Sequence, residues 1–296
     1  MEIQEYANQL KEYYESLMRY FSCEESKSIT ESKLFEDIFR FHDFSQEKEE
    51  LESILMMISK ISENHCKSHN FIQKVEKILL HYLPKIKQTF TNSRIFEIFE
   101  KNKLILLFLF ENKIINADEI ILKYINEKSF EISMINYEEE EDDYFETENV
   151  RSRYNYNIYF YPEIKHLLNE NDSAIIEKKI NEITNNNLEL FYKNRKIGEN
   201  DSYVCELIRN DSIEDFISYL NRNNISLSSK IKSSVFETSI YLMTNEQSLI
   251  EYAVHWGSIQ IFQYLRLNQV EMSKYLWLNA IYSNNGEIIH LLEEDH

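Results

Sequence analysis

The stretch AVHWGSIQIFQYL (residues 253–265) returns 27 residues later as AIYSNNGEIIHLL (280–292). Ala253 falls on Ala280, Ile261 on Ile288, Phe262 on Ile289, Leu265 on Leu292 and Gly257 on Asn284. Such self-similarity limits the fold sharply, because each unit is one supersecondary element that buries its apolar face only against its neighbours. Gly and Asn are the residues that best tolerate the left-handed conformation ending a helix. Gly257 and Asn284 therefore predict a stop between two short helices. Ala253 and Ala280 predict a helix face small enough for close approach. IRNDSIEDFISYL (208–220) fits the template without gaps, with Ile208 at the alanine position and Phe216, Tyr219 and Leu220 on the second helix. KNKLILLFLFENK (101–113) resembles the second half of a unit, as does PEIKHLLNEN (162–171), nearly a copy of GEIIHLLEED (286–295).

A mostly helical chain also follows from having 3 Gly and 2 Pro in 296 residues, too few for hairpin-rich folds. Upstream of the repeats, apolar residues recur at helical spacing. Tyr6, Leu10, Tyr13, Leu17 and Phe21 form one stripe; Leu51, Ile54, Leu55, Ile58 and Ile61 a second; Phe71, Val75, Ile78, Leu79 and Tyr82 a third, expected to end or kink near Pro84. The stretch from Phe35 to Phe44 is a shorter candidate. The segment 137–161 breaks the pattern with EEEEDD (138–143) and RSRYNYNIYFYP (151–162), and reads as a solvated, mobile loop. It lacks the residue pattern of a calcium loop.

A net charge of -19 argues against nucleic acid or anionic membrane as partner. No run of 18 apolar residues is present, and the charged N-terminus lacks the basic start and apolar centre of a secretory signal. Cys23, Cys66 and Cys205 are scattered, which suits a reducing interior. The expected address is cytoplasmic, with the nucleus left open. The Asn-Asp-Ser tripeptides at 171, 200 and 210 read as turns or helix caps.

SLIEYAVHWGSIQIFQYL (248–265) resembles the ankyrin repeat. Ser248 stands at the opening threonine, Ala253 at the small residue, Gly257 at the inter-helix glycine, and Ile261, Phe262, Tyr264 and Leu265 on the apolar second helix. With RKIGENDSYVCELIRNDS (195–212), the region 195–296 is similar to a large, lineage-expanded group of protist ankyrin-repeat proteins whose repeat region is classed as a domain of unknown function. That resemblance implies protein binding without catalysis or cofactor. Two features depart from the pattern. Leu249, Ile250 and Glu251 replace the usual Pro-Leu-His, and 27 residues is shorter than the usual spacing of about 33. The finger around 268–275 must then be short.

Together these readings predict an all-α chain: an N-terminal helical bundle (1–92), a degenerate helix-pair repeat (93–136), the acidic, Tyr-rich loop (137–161) and an ankyrin-like helix-pair solenoid (162–296) left uncapped at its C-terminus. The candidate protein-binding residues flank the alanines: Tyr252, His255 and Trp256 on one unit, Asn279, Tyr282 and Ser283 on the next. Ile288 and Leu291 are candidates for self-association through the last repeat. The opposing chemical reading is a metal-dependent enzyme on the N-terminal bundle, with His65 and His69 sharing a helix face and Cys66 beside them. Zinc needs three or four ligands, and no second local cluster completes that set. No Gly-rich phosphate loop, G-x-S-x-G or H-E-x-x-H occurs, and Cys205 reads as core. A third reading is a structural self-assembling subunit.

Overall fold

The computed structural model describes residues 3–23, 28–39, 48–65, 69–135, 155–244, 247–274 and 276–294. The described residues are mostly helical and contain no β-strand; one isolated antiparallel bridge pairs Lys230 with Ser248. The chain divides into two compact units, Met1–Asn116 and Ala117–His296.

The first unit holds α1 (Ile3–Phe21), α2 (Ser28–Ile38), α3 (Lys48–His65), α4 (His69–Thr89), α5 (Asn92–Phe99) and α6 (Lys103–Glu111). The stripes face inward: Tyr13 and Leu17 on α1, Leu51, Ile54, Leu55 and Ile58 on α3, and Val75, Ile78 and Leu79 on α4 are fully buried. Each such side chain contributes roughly 1.5–3 kcal/mol. Lys74 is buried too. Its Nζ donates to the carbonyls of Tyr20 (3.0 Å) and Cys23 (2.6 Å) around the C-terminal end of α1, which gives the buried ammonium acceptors. Helix α4 does not end at Pro84 but runs on to Thr89. Pro84 lies on the exposed face, where water can serve the Leu80 carbonyl that loses its donor, and buried Ile86 anchors the turn beyond.

Helix α3 packs on α4 and α5, and α6 packs on α4 and α5. Residues 93–111 thus belong to the same compact unit as the stripes. Helix α6, KLILLFLFE, buries seven of its residues, and a helix apolar around its circumference needs cover on every side.

The second unit begins with α7 (Glu119–Ile135), α8 (Asn155–Tyr159), α9 (Tyr161–Ile164), a 3-10 turn at 165–167, α10 (Glu170–Ile183) and α11 (Leu188–Ile197). The EEEEDD run lies outside the described residues. Residues 155–159 and 161, expected above to lie in the loop, are helical instead, joined by a turn at Phe160, with Tyr156, Tyr159, Phe160 and Tyr161 buried; their aromatic area outweighs the nearby charge. The segment 162–171 is not a copy of 286–295 either. It breaks at Leu168 (ψ 148°), and Asn169 starts a new helix by accepting from the Asp172 N–H at 2.9 Å.

Three helix pairs follow: α12 (Tyr203–Arg209) with α13 (Ile213–Asn223), α15 (Leu249–Trp256) with α16 (Ile259–Leu267), and α17 (Leu276–Ser283) with α18 (Gly286–Glu294). A short α14 (Ile240–Thr244) lies in the connection after the first pair. Helix α15 packs on both α12 and α17, and α16 on both α13 and α18. One core runs through all three pairs, including Ile208, Phe216, Ala253, Val254, Phe262, Leu265, Ala280, Ile288 and Leu292.

Each pair turns on a left-handed residue: Asp211 (φ 50°), Gly257 (φ 77°) and Asn284 (φ 51°). After Gly257, the Ser258 N–H returns to the Ala253 carbonyl at 2.9 Å; after Asp211, the Ser212 N–H returns to Leu207 at 3.0 Å. The residue equivalent to Ala253 in the first pair is therefore Leu207, one position before the Ile208 expected from the ungapped comparison. Asn210-Asp211-Ser212 is indeed a turn. So is Asn200-Asp201-Ser202, where Asn200 accepts from the Ser202 N–H at 3.0 Å. Asn171, by contrast, lies within the first turn of α10.

Candidate functional site

Where the first helices of the three pairs pack (α12, α15 and α17, called the inner helices below), a polar seam joins them. Ser248 caps α15 in a reciprocal box with Glu251, whose Oε2 accepts from the Ser248 N–H at 2.8 Å. The other Glu251 oxygen accepts from the Ser273 hydroxyl, which belongs to the connection into the third pair. Glu251 thus caps its own helix and ties it to the next unit. Asn279 of α17 is fully buried. Its Oδ1 lies 3.2 Å from His255 Nδ1, and its Nδ2 donates to Gln247 Oε1 and to the Tyr241 hydroxyl, each at 3.2 Å. Burial raises the Tyr241 pKa, against the lowering effect of its Gln247 and Asn279 hydrogen bonds.

A run of rings lies over this seam. Tyr241 stacks on His255 with centroids 5.8 Å apart and planes 8° from parallel, and Tyr282 lies 5.3 Å from Tyr241 and 5.9 Å from His255. His255 meets Trp256 at 5.9 Å, and the Arg209 guanidinium lies 5.7 Å from the Trp256 ring. Arg209 is held by Glu199 (2.7 Å), by the Asn200 carbonyl and by the Tyr252 hydroxyl (both 2.9 Å). Burial alone would lower its pKa, but Tyr252 and Glu199 leave it raised. The Trp256 indole N–H is sealed from solvent and meets no acceptor among the described residues.

The six candidate residues divide by where they face. Tyr252, His255 and Asn279 are buried between helices rather than displayed. A helix packed on both sides has little free circumference: Tyr252 reaches back to Arg209, whereas His255 reaches forward to Asn279. Trp256, Tyr282 and Ser283 remain half-exposed. Ser283 donates to the Ala280 carbonyl at 2.7 Å. Ile288 is fully buried in the common core and Leu291 is half-buried against it, so these two do not form an open face. Tyr241 and Arg209 were not foreseen. Tyr241 comes from α14, which has no counterpart in the 27-residue repeat, and Arg209 became visible only once the first pair's register moved by one.

The chemical candidates fare differently. His65 ends α3 and His69 opens α4, so they do not share a helix face; Cys66 lies outside the described residues. Among the described residues no group of three or more His, Cys, Asp or Glu could hold a metal ion. Cys205 is buried on α12, and burial pushes its thiol up to about 11, against the lowering effects of Ser202, Arg209 and Tyr252. Such a thiol is a poor nucleophile. No helix among the described residues is long and apolar enough to cross a membrane. Comparison with family models, with curated proteins and with solved structures finds no match to this chain.

Proposed function

We propose that the three helix pairs form an ankyrin-like solenoid and that the chain is a non-catalytic protein-binding module working inside the cell. The observation that carries this reading is the ring run from Trp256 through His255 to Tyr241 and Tyr282. It crosses two successive inner helices, is anchored from below by buried hydrogen bonds, and leaves its outer rings half-exposed. Rigid aromatic side chains beside a fixed arginine are the residue types that dominate interface energies. The partner is a protein segment with an apolar anchor; nucleic acid would meet a chain of net charge -19.

The test compares proteins captured from native extract by the wild type, Trp256→Ala and Tyr282→Ala, each first checked for unchanged helicity. A specific partner set held by the wild type and lost by both variants supports the reading. An identical set on all three, at equal fold content, overturns the placement of the site.

A further inference from the structure

Of the three glycines, Gly198 and Gly257 are held left-handed, at φ 72° and 77°, and Gly286 is not. Gly286 opens α18, and an added Cβ there would meet no atom within 4 Å. Neither conformation nor space asks for glycine at this place, and glycine weakens a helix relative to alanine. What glycine alone supplies is an amide nitrogen that no side chain of its own shields. The residue before it is Asn285, whereas Gly198 and Gly257 follow Ile197 and Trp256, so this is the one Asn-Gly pair in the sequence. Gly286 is exposed to water. The Asn285 side chain has two tasks. Its Oδ1 accepts from the Glu287 N–H at 3.1 Å and from the Ile288 N–H at 3.4 Å, at the start of α18. Its Nδ2 donates to the Gly257 carbonyl at 3.1 Å, which ties the turn of the third pair to that of the second. Bonding to the two N–H groups beyond Gly286 folds the side chain back toward the Gly286 amide. As the first residue of its helix, Gly286 has an N–H that no helical carbonyl engages.

We infer that Asn285 is a site of spontaneous deamidation through the Gly286 nitrogen, and that the reaction releases the tie between the two turns. Hydroxide removes the Gly286 amide proton, and the nitrogen adds to Asn285 Cγ. Negative charge builds on Oδ1, where the Glu287 and Ile288 N–H groups and the positive end of α18 stabilise it. The bond from Cγ to Nδ2 then breaks. The leaving nitrogen takes a proton from water and departs as ammonia, which returns the hydroxide. A second water opens the cyclic imide. Breaking the bond between Cγ and the Gly286 nitrogen leaves aspartate at position 285. Breaking the bond between the backbone carbonyl carbon and that nitrogen leaves isoaspartate, with the chain rerouted through the side chain. Both products lack Nδ2 and its hydrogen bond to Gly257, and an aspartate carboxylate in the same place repels the Gly257 carbonyl. Aspartate still caps α18. Isoaspartate adds a methylene to the backbone and displaces that cap as well.

The test ages the purified full chain in mildly alkaline buffer at physiological temperature, beside Gly286→Ala. The proteolytic peptide that spans Asn285 and Gly286 is followed by its mass and by labelling with an isoaspartate-specific methyltransferase. The wild type converts several-fold faster than Gly286→Ala, which keeps its helicity because the added methyl group has open space. In the aged wild type, amide exchange quickens at Gly257, Ser258 and the first turn of α18, while Val75, Ile78 and Leu79 of α4 stay protected. Asn285→Asp shows the quickening at Gly257 and Ser258 before any ageing. Wild-type conversion no faster than that of Gly286→Ala overturns the site. Conversion without quickened exchange, or an Asn285→Asp protein that exchanges like the wild type, overturns the release of the tie. None of these outcomes depends on a binding partner, so the inference stands or falls apart from the proposed function.

Discussion

Gly257 holds φ 77° although a side chain there would find room: an added Cβ would meet nothing closer than Asn285 Nδ2 at 3.5 Å. The demand for glycine is therefore conformational rather than steric. Gly257→Val should lose roughly 1–2 kcal/mol or more, because a β-branched residue resists the left-handed region. Gly257→Asn should lose clearly less, since Asn284 already takes the equivalent conformation at φ 51°. Urea unfolding of both variants checks this; equal midpoints would contradict the shared turn. Gly257 and Asn284 were legible in sequence because these residue types have few other reasons to coincide. Asp211 was not. Leu207 and Ile208 are both apolar and both buried, so either could have stood on Ala253, and only the backbone hydrogen bonds choose between them.

Among the helices, the outer pair members differ in where their N-terminal amides find acceptors. Ser258 makes no side-chain cap for α16; instead Asp211 of the preceding pair accepts from the Gln260 and Ile261 N–H groups, both at 3.0 Å. Gly257, having no side chain, can do nothing similar for α18, and Asn285 accepts from the Glu287 N–H at 3.1 Å instead. Asp211→Gly should thus cost about 1 kcal/mol through the lost cap while easing the backbone, and Asp211→Asn should recover most of it. Thermal unfolding decides; an Asp211→Gly protein as stable as wild type would show that the borrowed cap contributes no more than the left-handed backbone costs. Element identity was well legible where apolar spacing is strict, as along α3 and α4. It failed at 162–171 because Asn169, a capping residue, ends one segment and begins another within an otherwise copied pattern. It failed at Tyr252, His255 and Asn279 because spacing tells which residues share a face, but not how many faces a stacked helix buries.

For the whole molecule, each compact unit contains a buried tyrosine that resists ionisation. Burial raises the pKa of Tyr13 well above 10.0, and the neighbouring Tyr82 adds to it. Tyr252 is raised likewise, by burial, Glu237 and Cys205, against the pull of Arg209. Below pH 10 both residues are neutral whether the chain is folded or not, so they impose no pH dependence. Above it the unfolded chain releases protons that the folded one keeps, and stability falls as pH rises. Urea midpoints should hold steady from about pH 8 to 9.5 and drop steeply beyond 10, with the last part of the tyrosinate absorbance appearing only together with unfolding. Tyrosinate absorbance saturating before helicity falls would show that these hydroxyls are not sealed. The division at Asn116 was not legible, because residues 93–111 carry a repeat-like pattern and only their packing on α3 and α4 assigns them to the first unit.

The left-handed residues of the first and second pairs are 46 positions apart (211 to 257), those of the second and third 27 (257 to 284), yet all three pairs share one core. What joins the pairs is chiefly side-chain contact between helices, so the connecting chain can vary in length while a few of its residues, such as Ser273 and Val270, stay tied to the pairs. Its first instance has already absorbed α14, and with it Tyr241 of the ring run, without disturbing the register of α15 on α12. Each doubling of a flexible connection costs only about 0.6 kcal/mol. The span near Gln269 is thus a natural port for grafting foreign sequence, just as the first connection already accommodates a helix of its own.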